Sequence, residues 1–416
     1  MATMATTTKK PHPPTLLPSQ RTSVTNNNMI VSIADEMNAT RRNTMEDVHV
    51  FHGPGTWNCP NDNATFIGVY DGHGGRLIVD YLEDHLASNV ASEWSHMESE
   101  RKKDESAEKE FQRQKKRRLD ATDDRDNNNS GGKENQPSPE NDNDKEGKLI
   151  RTSLERSFLI TDIQSRMAGL TTSGATVVCC VVIPKFSSVD GSVTSIMIHA
   201  ANAGDARAVL SSCNARKTVQ IDSIVNSAQS TVELSSDSSN NIICKPSNLQ
   251  SDATAIRLTC DHKSTDPEEI ARIESSGGVM IRGRVLGVLA VARSLGDHGL
   301  KEFVIGRPYL SSTVVHVDGK RGQSALQNTK SGEREVTSMA PALSSPFTDG
   351  EFLIVACDGL WDVMEDQDAV DLVRNYTQKI GLKNRQQNQK EVASFLVDEA
   401  LRRGSSDNIT VVVYWL

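Results

Sequence analysis

Phe66-Ile-Gly-Val-Tyr-Asp-Gly-His-Gly-Gly75 is the stretch on which the fold of this chain turns. Its first half is aromatic and β-branched and reads as a short strand over 66–70. An Asp-Gly pair follows, then Gly74 and Gly75, residues that suit a sharp turn. Beyond the turn Ile78, Leu82, Leu86 and Val90 recur at every fourth position and predict one apolar helical stripe. Outward from this strand–turn–helix unit, short strands are expected at 176–183, 195–201, 207–210, 279–281, 352–356 and 409–414. Helical stripes are expected around Ile150, Leu154 and Phe158 and around Val392, Leu396 and Ala400, the latter stopping at Gly404. Another helix is punctuated by Asp266 as cap, Pro267 in its first turn, Glu269 completing a box-like pattern, and Gly277–Gly278 at its end. Strands come in runs and helices in pairs, without strict alternation. That order predicts an α+β class, an antiparallel β-sandwich flanked by pairs of helices, rather than a doubly wound parallel sheet.

Composition limits what else the chain can be. Its 416 residues carry a net charge of −9, only 36% are hydrophobic, and the mean hydropathy is −0.46. An acidic chain lacks the basic face that general nucleic-acid binding needs. No stretch approaches the roughly 18 apolar residues of a membrane span. Seven scattered cysteines, none in a Cys-x-x-Cys pair, suit a reducing compartment better than a disulfide framework or a zinc site. Cys179 and Cys180 fall within one apolar run and should point to opposite faces of a strand. Residues 1–28 contain no acids and read as a disordered tail. The remainder, 29–416, reads as a single domain interrupted by polar insertions at 98–147, 211–253 and 317–347, which offer little to bury. Two basic clusters in the first insertion, at 101–103 and 115–118, have the spacing of a bipartite nuclear import signal, so the expected location is cytoplasmic, nuclear or both.

One pattern recurs along the chain: an apolar strand runs out and an aspartate follows. Asp71, Asp205 and Asp358 end such strands, Asp407 opens the last one, and Glu46–Asp47 precedes another. A single Asp-Gly pair means a turn. Several carboxylates gathered at one rim of a sandwich would repel one another unless cations neutralised them. Oxygen ligands without clustered His or Cys suit Mg²⁺ or Mn²⁺ rather than Zn²⁺ or copper. Two such ions activate water and clamp phosphate oxygens.

These motifs resemble the type 2C, or PPM, family of protein phosphatases across residues 29–416. The matching blocks run from Arg42 to Asp47, Val69 to Gly75, Ser173 to Thr176, Ala201 to Leu210, Leu258 to Lys263, Leu289 to Asp297, Ala356 to Val363 and Ser406 to Thr410. Arg41–Arg42 and the stretch 295–308 look most like small fungal-type members. The resemblance implies a protein serine/threonine phosphatase that uses two Mg²⁺ or Mn²⁺ ions, with a third, weaker one in some members. By position it implies Asp71 as the ligand bridging both metals and the Gly72 carbonyl as a ligand of one. Asp358 and Asp407 match ligands of the second metal. Glu46 matches a residue holding the first metal through water, Asp47 is its supporting neighbour, and Asp205 matches a ligand of the third ion. Arg42 matches the phosphate-binding arginine and His73 the general acid that protonates the leaving Ser or Thr oxygen. Asp297, Arg293 and Asp261 stay outside this set. Asp297 is expected to support the site from a distance, and Asp261 to serve the turn before the Asp266 helix. Expected partners are phosphorylated proteins, among them kinases of a stress or MAP-kinase pathway, with the chain acting as a monomer. Two rivals remain open. One is an inactive pseudophosphatase scaffold that binds a kinase or its regulator, and the other a metal-dependent nuclease.

Overall fold

The structure is a computed structural model and describes residues 20–26, 29–120, 142–212, 218–224, 253–316, 351–378 and 385–416. Along the chain come β1 (Gln20–Asn26), β2 (Met29–Glu36), β3 (Asp47–His52) and β4 (Thr65–His73), then the helices α1 (Leu77–Asp120) and α2 (Asp142–Met167). A run of strands follows: β5 (Gly174–Phe186), β6 (Val193–Ala203), β7 (Arg207–Ser212), β8 (Thr218–Ile224) and β9 (Thr254–Arg257). After α3 (Pro267–Ser275) come β10 (Met280–Ile281), β11 (Arg284–Val285), β12 (Leu295–Gly296), β13 (Tyr309–His316) and β14 (Phe352–Ala356). The short α4 (Asp358–Trp361), α5 (Asp366–Gln378), α6 (Arg385–Arg402) and β15 (Ile409–Trp415) complete the order.

Among the described residues two large antiparallel sheets form, with a separate two-stranded pair, β10-β11. One runs β1-β2-β15-β14-β7-β9, and the other β3-β4-β5-β6-β13-β8 with β12 joined to β5. The side-chain period of two decides what each strand face touches. On β5, Val177, Cys179, Val181 and Ile183 face α1 and α2, while Val178, Cys180 and Val182 face the opposing sheet. The two cysteines thus occupy different cores, as the alternation predicts. On β14, Phe352, Ile354 and Ala356 face the α4–α6 layer, while Leu353 and Val355, with Cys357 just beyond the strand, face the opposing sheet. The stripe of α1 (Ile78, Leu82, Leu86, Val90) is fully buried against β4 and β5, beside Ile150, Leu154 and Phe158 of α2. Val392, Leu396 and Ala400 of α6 are buried in the same way on the other side. Four layers result, helix–sheet–sheet–helix, the α+β sandwich expected. Among the described residues no helix is long and apolar enough to cross a membrane.

Several boundaries differ from the sequence reading. Residues 20–26, inside the expected disordered tail, form β1 and pair along their whole length with β2; backbone hydrogen bonds make this pairing, and it needs no apolar run. Residues 98–120, expected to stay outside any element, continue α1. Local ion pairs line this stretch, such as Arg101 with Glu98 and Glu105, and Lys103 with Glu100. Residues 142–147 begin α2, 211–212 end β7, 218–224 form β8, and Ala253 is buried. The rest of the tail and of the three insertions lies outside the described residues. At α3 the Asp266 side chain accepts the Glu268 and Glu269 amides at 2.9 and 3.1 Å. The reciprocal half of a capping box is not made: the Asp266 amide goes to the Lys263 carbonyl, and the Glu269 carboxylate is taken by Arg272 and Arg293.

Candidate metal centre

The strand period also aims the carboxylates. Ile67 and Val69 of β4 face the space between the sheets, so Asp71, two residues on, faces the same way at its open end. Asp71 does not end the strand at a turn. β4 runs on through His73, with Asp71 opposite Thr176 and His73 opposite Gly174 of β5, and the chain turns only at Gly74 and Gly75, with φ of 72° and 111°. Asp47 of β3 stands directly opposite Asp71, and Cys357 closes β14 on the same side. Ligand atoms of Asp47, Asp71 and Cys357 lie within 4.8 Å of one another. Gly72 permits this approach, since a Cβ there would sit 2.6 Å from the Glu46 carbonyl oxygen.

Two loops from opposite ends of the sequence complete the rim. Asp358 opens α4 immediately after β14, and a Cβ on Gly359 would fall 1.9 Å from the Asn408 carbonyl oxygen. The Asn408 side chain accepts the Glu46 amide at 2.8 Å and donates to the Met37 and Thr44 carbonyls at 2.8 and 3.0 Å. Asn38 returns the contact, donating to the Ser405 and Asp407 carbonyls at 2.8 and 3.1 Å. The segment 37–46 is thereby stapled to 405–408. Across this staple the Arg42 guanidinium pairs with the Asp407 carboxylate and its Nε donates to the Ser406 carbonyl at 3.2 Å. Asp205 follows Gly204, and Lys263 stands 4.0 Å from it and 3.1 Å from Asp362.

The charges are crowded and poorly solvated. Burial pushes the Asp71 carboxyl well above its ordinary range, and Asp47, Asp358, Asp205 and Asp407 push it further. Burial is also the chief cause at Asp47, raised to about 7, at Asp358, raised to about 8, and at Asp205, raised to about 6. Asp47, Asp205 and Asp358 each keep a buried carboxylate oxygen with no hydrogen-bond partner. Buried unpaired anions are costly, and divalent ions bound to those oxygens would remove the cost. The donor set is almost wholly oxygen, which fits a hard cation.

The structure therefore brings Asp47, Asp71, Asp205, Asp358 and Asp407 together, with Arg42 on the rim. Glu46 stands beside the cluster: its carboxylate accepts the Thr44 hydroxyl at 3.0 Å and the Gly75 amide at 3.3 Å. Asp47, read as a supporting neighbour, is in the tightest trio. His73 is held by Asp297, whose carboxylate oxygens lie 2.9 and 2.8 Å from its Nε2. Burial alone would raise Asp297, but its bonds to His73 and Ser294 and the charge of Lys301 hold it below the ordinary carboxylate value. Asp261 does not serve the α3 turn. It pairs with Arg207, which also binds Asp366 and lies over the Trp361 ring at 5.0 Å. Sequence reasoning missed Cys357, Asn38 and Asn408, since small polar residues near loops carry no signal of where their partners lie.

A family model described as protein phosphatase 2C matches residues 32–134 and 246–409, well over half of the chain. The chain belongs to the protein phosphatase 2C family. The phosphatase is by that membership a metal-dependent protein phosphatase. It is 27% identical over 391 residues to protein phosphatase 2C homolog 1 of Schizosaccharomyces pombe, an alignment that covers 93% of the chain and 73% of the relative. It is 38% identical over 162 residues to protein phosphatase 2C homolog 1 of Saccharomyces cerevisiae, covering 39% of the chain and 43% of the relative. These yeast relatives agree with the fungal-type resemblance. A serine-threonine phosphatase 2C from Toxoplasma gondii superimposes on the phosphatase with a TM-score of 0.53 at 16% identity, covering 96% of the chain and 99% of that structure. At that identity the likeness speaks for the fold.

Proposed function

We propose that the chain hydrolyses phosphoserine and phosphothreonine in proteins, by direct attack of water on phosphorus, at the carboxylate cluster on the rim of the sandwich. One observation carries this reading: Asp47, Asp205 and Asp358 each keep a buried carboxylate oxygen without a hydrogen-bond partner, in the group of acids whose charges act on Asp71. In this reading Asp71, the Gly72 carbonyl, Asp358 and Asp407 hold two Mg²⁺ or Mn²⁺ ions, with Glu46 and Asp47 behind the first and Asp205 serving a weaker third. Bound there, the ions supply Lewis-acid activation of water and neutralise charge on the phosphoryl group. The planar Arg42 guanidinium, half exposed beside Asp407, grips phosphoryl oxygens in two places. His73, on the strand that carries Asp71, gives a proton to the departing serine or threonine oxygen. The deciding assay is hydrolysis of a phosphoserine peptide with Mn²⁺, with and without EDTA. Turnover that survives EDTA, or survives Asp71→Asn combined with Asp358→Asn, rejects the mechanism.

A further inference from the structure

The contact between His73 and Asp297 joins parts of the chain 224 residues apart, and several features of the surrounding backbone hold it in place. Gly174 of β5 is paired with His73 on one side and with Gly296 of β12 on the other. A Cβ on Gly174 would lie 2.1 Å from an Asp297 carboxylate oxygen, so the carboxylate crosses β5 through space that only a glycine leaves. Asp297 itself is a non-glycine residue at φ +47°, in the left-handed region that L side chains rarely adopt. Its backbone is clamped there. The Asp297 amide donates to the Ser173 carbonyl at 3.0 Å, and the Gly296 amide donates to Asp162 of α2 at 2.8 Å. Lys301 ties the loop down again, reaching Asp162 at 3.0 Å and the Ser294 carbonyl at 2.8 Å. The Asp297 side chain is only 10% exposed, against 31% for His73. One partner is fixed inside the protein and the other faces the site.

We infer that Asp297 is a positioning residue: it grips Nε2 of His73 and locks the imidazole in the orientation from which it serves the leaving oxygen. A carboxylate that accepts from the Nε2–H fixes the ring angle and leaves the Nδ1–H of the imidazolium as the proton donor. Among the described residues Nδ1 has no hydrogen-bond partner, so it is the nitrogen left to face the substrate. The strained backbone of Asp297, the glycine gap at 174 and the Asp162–Lys301 clamp together hold one carboxylate at one ring. This inference rests on the proposed role of His73, and the experiment separates the two.

The rates of His73→Ala, Asp297→Asn and the double variant are measured on a phosphoserine peptide and on a series of aryl phosphates of falling leaving-group basicity, at saturating Mn²⁺. Mn²⁺ affinity is measured separately by calorimetry. The expected result is a loss of kcat on the phosphoserine peptide of about 100-fold for His73→Ala, within the range that proton transfer contributes, and of about 10-fold or more for Asp297→Asn, the size of effect seen for carboxylates that orient a histidine. The loss should shrink steadily as the leaving group improves, with Mn²⁺ affinity unchanged. The double variant should be no slower than His73→Ala alone, because the two residues act as one unit. Gly174→Ala should give the same leaving-group pattern by displacing the carboxylate without altering either partner, and it keeps the test informative if Asp297→Asn folds poorly. If His73→Ala slows all substrates equally, the general-acid reading of His73 is wrong. If His73→Ala shows the leaving-group pattern but Asp297→Asn and Gly174→Ala do not, or if the double variant is additively slower, the positioning role is wrong while that of His73 stands.

Discussion

Asp71 shows how one side chain acquires a function from its setting. On an exposed turn it would be an ordinary carboxylate. In β4, opposite Asp47 and beside Asp358 and Asp205, it is desolvated and repelled from several directions at once. The arrangement serves binding at the expense of the unliganded fold. Replacing Asp71 with Asn keeps the shape and removes one charge. Its expected effects run in opposite directions: Mn²⁺-dependent turnover falls by at least about 100-fold, as second partners of a metal site alone are worth 10–100-fold, while the EDTA-treated protein melts a few degrees higher at pH 8. Calorimetric melting with EDTA checks the second effect, and an unchanged or lower melting temperature would show that the repulsion is already relieved within the fold. Arg42→Ala should raise KM for a phosphopeptide about tenfold or more, since a bidentate guanidinium contact is lost, with Mn²⁺ affinity little changed. Steady-state kinetics paired with metal titration checks this.

The elements meet at the centre through backbone contacts that leave no room for a side chain. Gly359 of α4 lies against the Asn408 carbonyl, and Gly72 lies against that of Glu46. Neither partner can swing aside as a flexible side chain would. Gly359→Ala should therefore destabilise the protein by about 1–3 kcal/mol, the usual cost of overpacking. It should also weaken Mn²⁺ binding, because it pushes Asp358 away from Asp407. Urea unfolding and metal titration test the two effects on one variant. The cap of α3 offers a contrast. Asp266→Ala should cost about 1 kcal/mol in the same urea assay and leave Mn²⁺ affinity alone, since the Asp266 side chain accepts from the first amides of its own helix.

For the molecule as a whole, the raised carboxylates couple stability to pH and to metal. Asp205, Asp47 and Asp358 are raised from an ordinary 3.8 to about 6, 7 and 8. Between those limits the folded chain keeps protons that the unfolded chain has released, so stability falls as pH rises through the window. The metal-free protein should melt at a higher temperature near pH 5.5 than near pH 8. Saturating Mn²⁺ should reverse the order, because ions bind the deprotonated carboxylates and stabilise the folded state by mass action. Thermal melts at the two pH values, with EDTA and with Mn²⁺, check this. A metal-induced gain that is no larger at pH 8 than at pH 5.5 would mean that the carboxylates do not titrate together with metal binding.

Local pattern was enough for much of this. The period-two alternation of 176–183 placed Cys179 and Cys180 in different cores, and the fourfold spacing of Ile78 to Val90 placed α1 on its sheet, because side-chain direction follows backbone geometry within each element. The order of strand runs and helix pairs led to the layered α+β architecture, and the recurring strand-end aspartates pointed to a cation centre before any of them had a position. Where backbone pairing or local ion pairs stand in for apolar burial, composition misled. Residues 20–26 and 98–120 look unstructured by hydrophobicity, yet they form β1 and the far end of α1. Other features were decided only when distant segments met. Asn408 staples the loop that carries Glu46, Cys357 joins Asp47 and Asp71, and Asp297 reaches His73 through the gap at Gly174. None of these residues differs locally from a common turn, core or loop residue. Their roles come from which strand ends the sandwich brings to one rim, and hydrogen-bond partners hundreds of residues apart leave no trace in spacing.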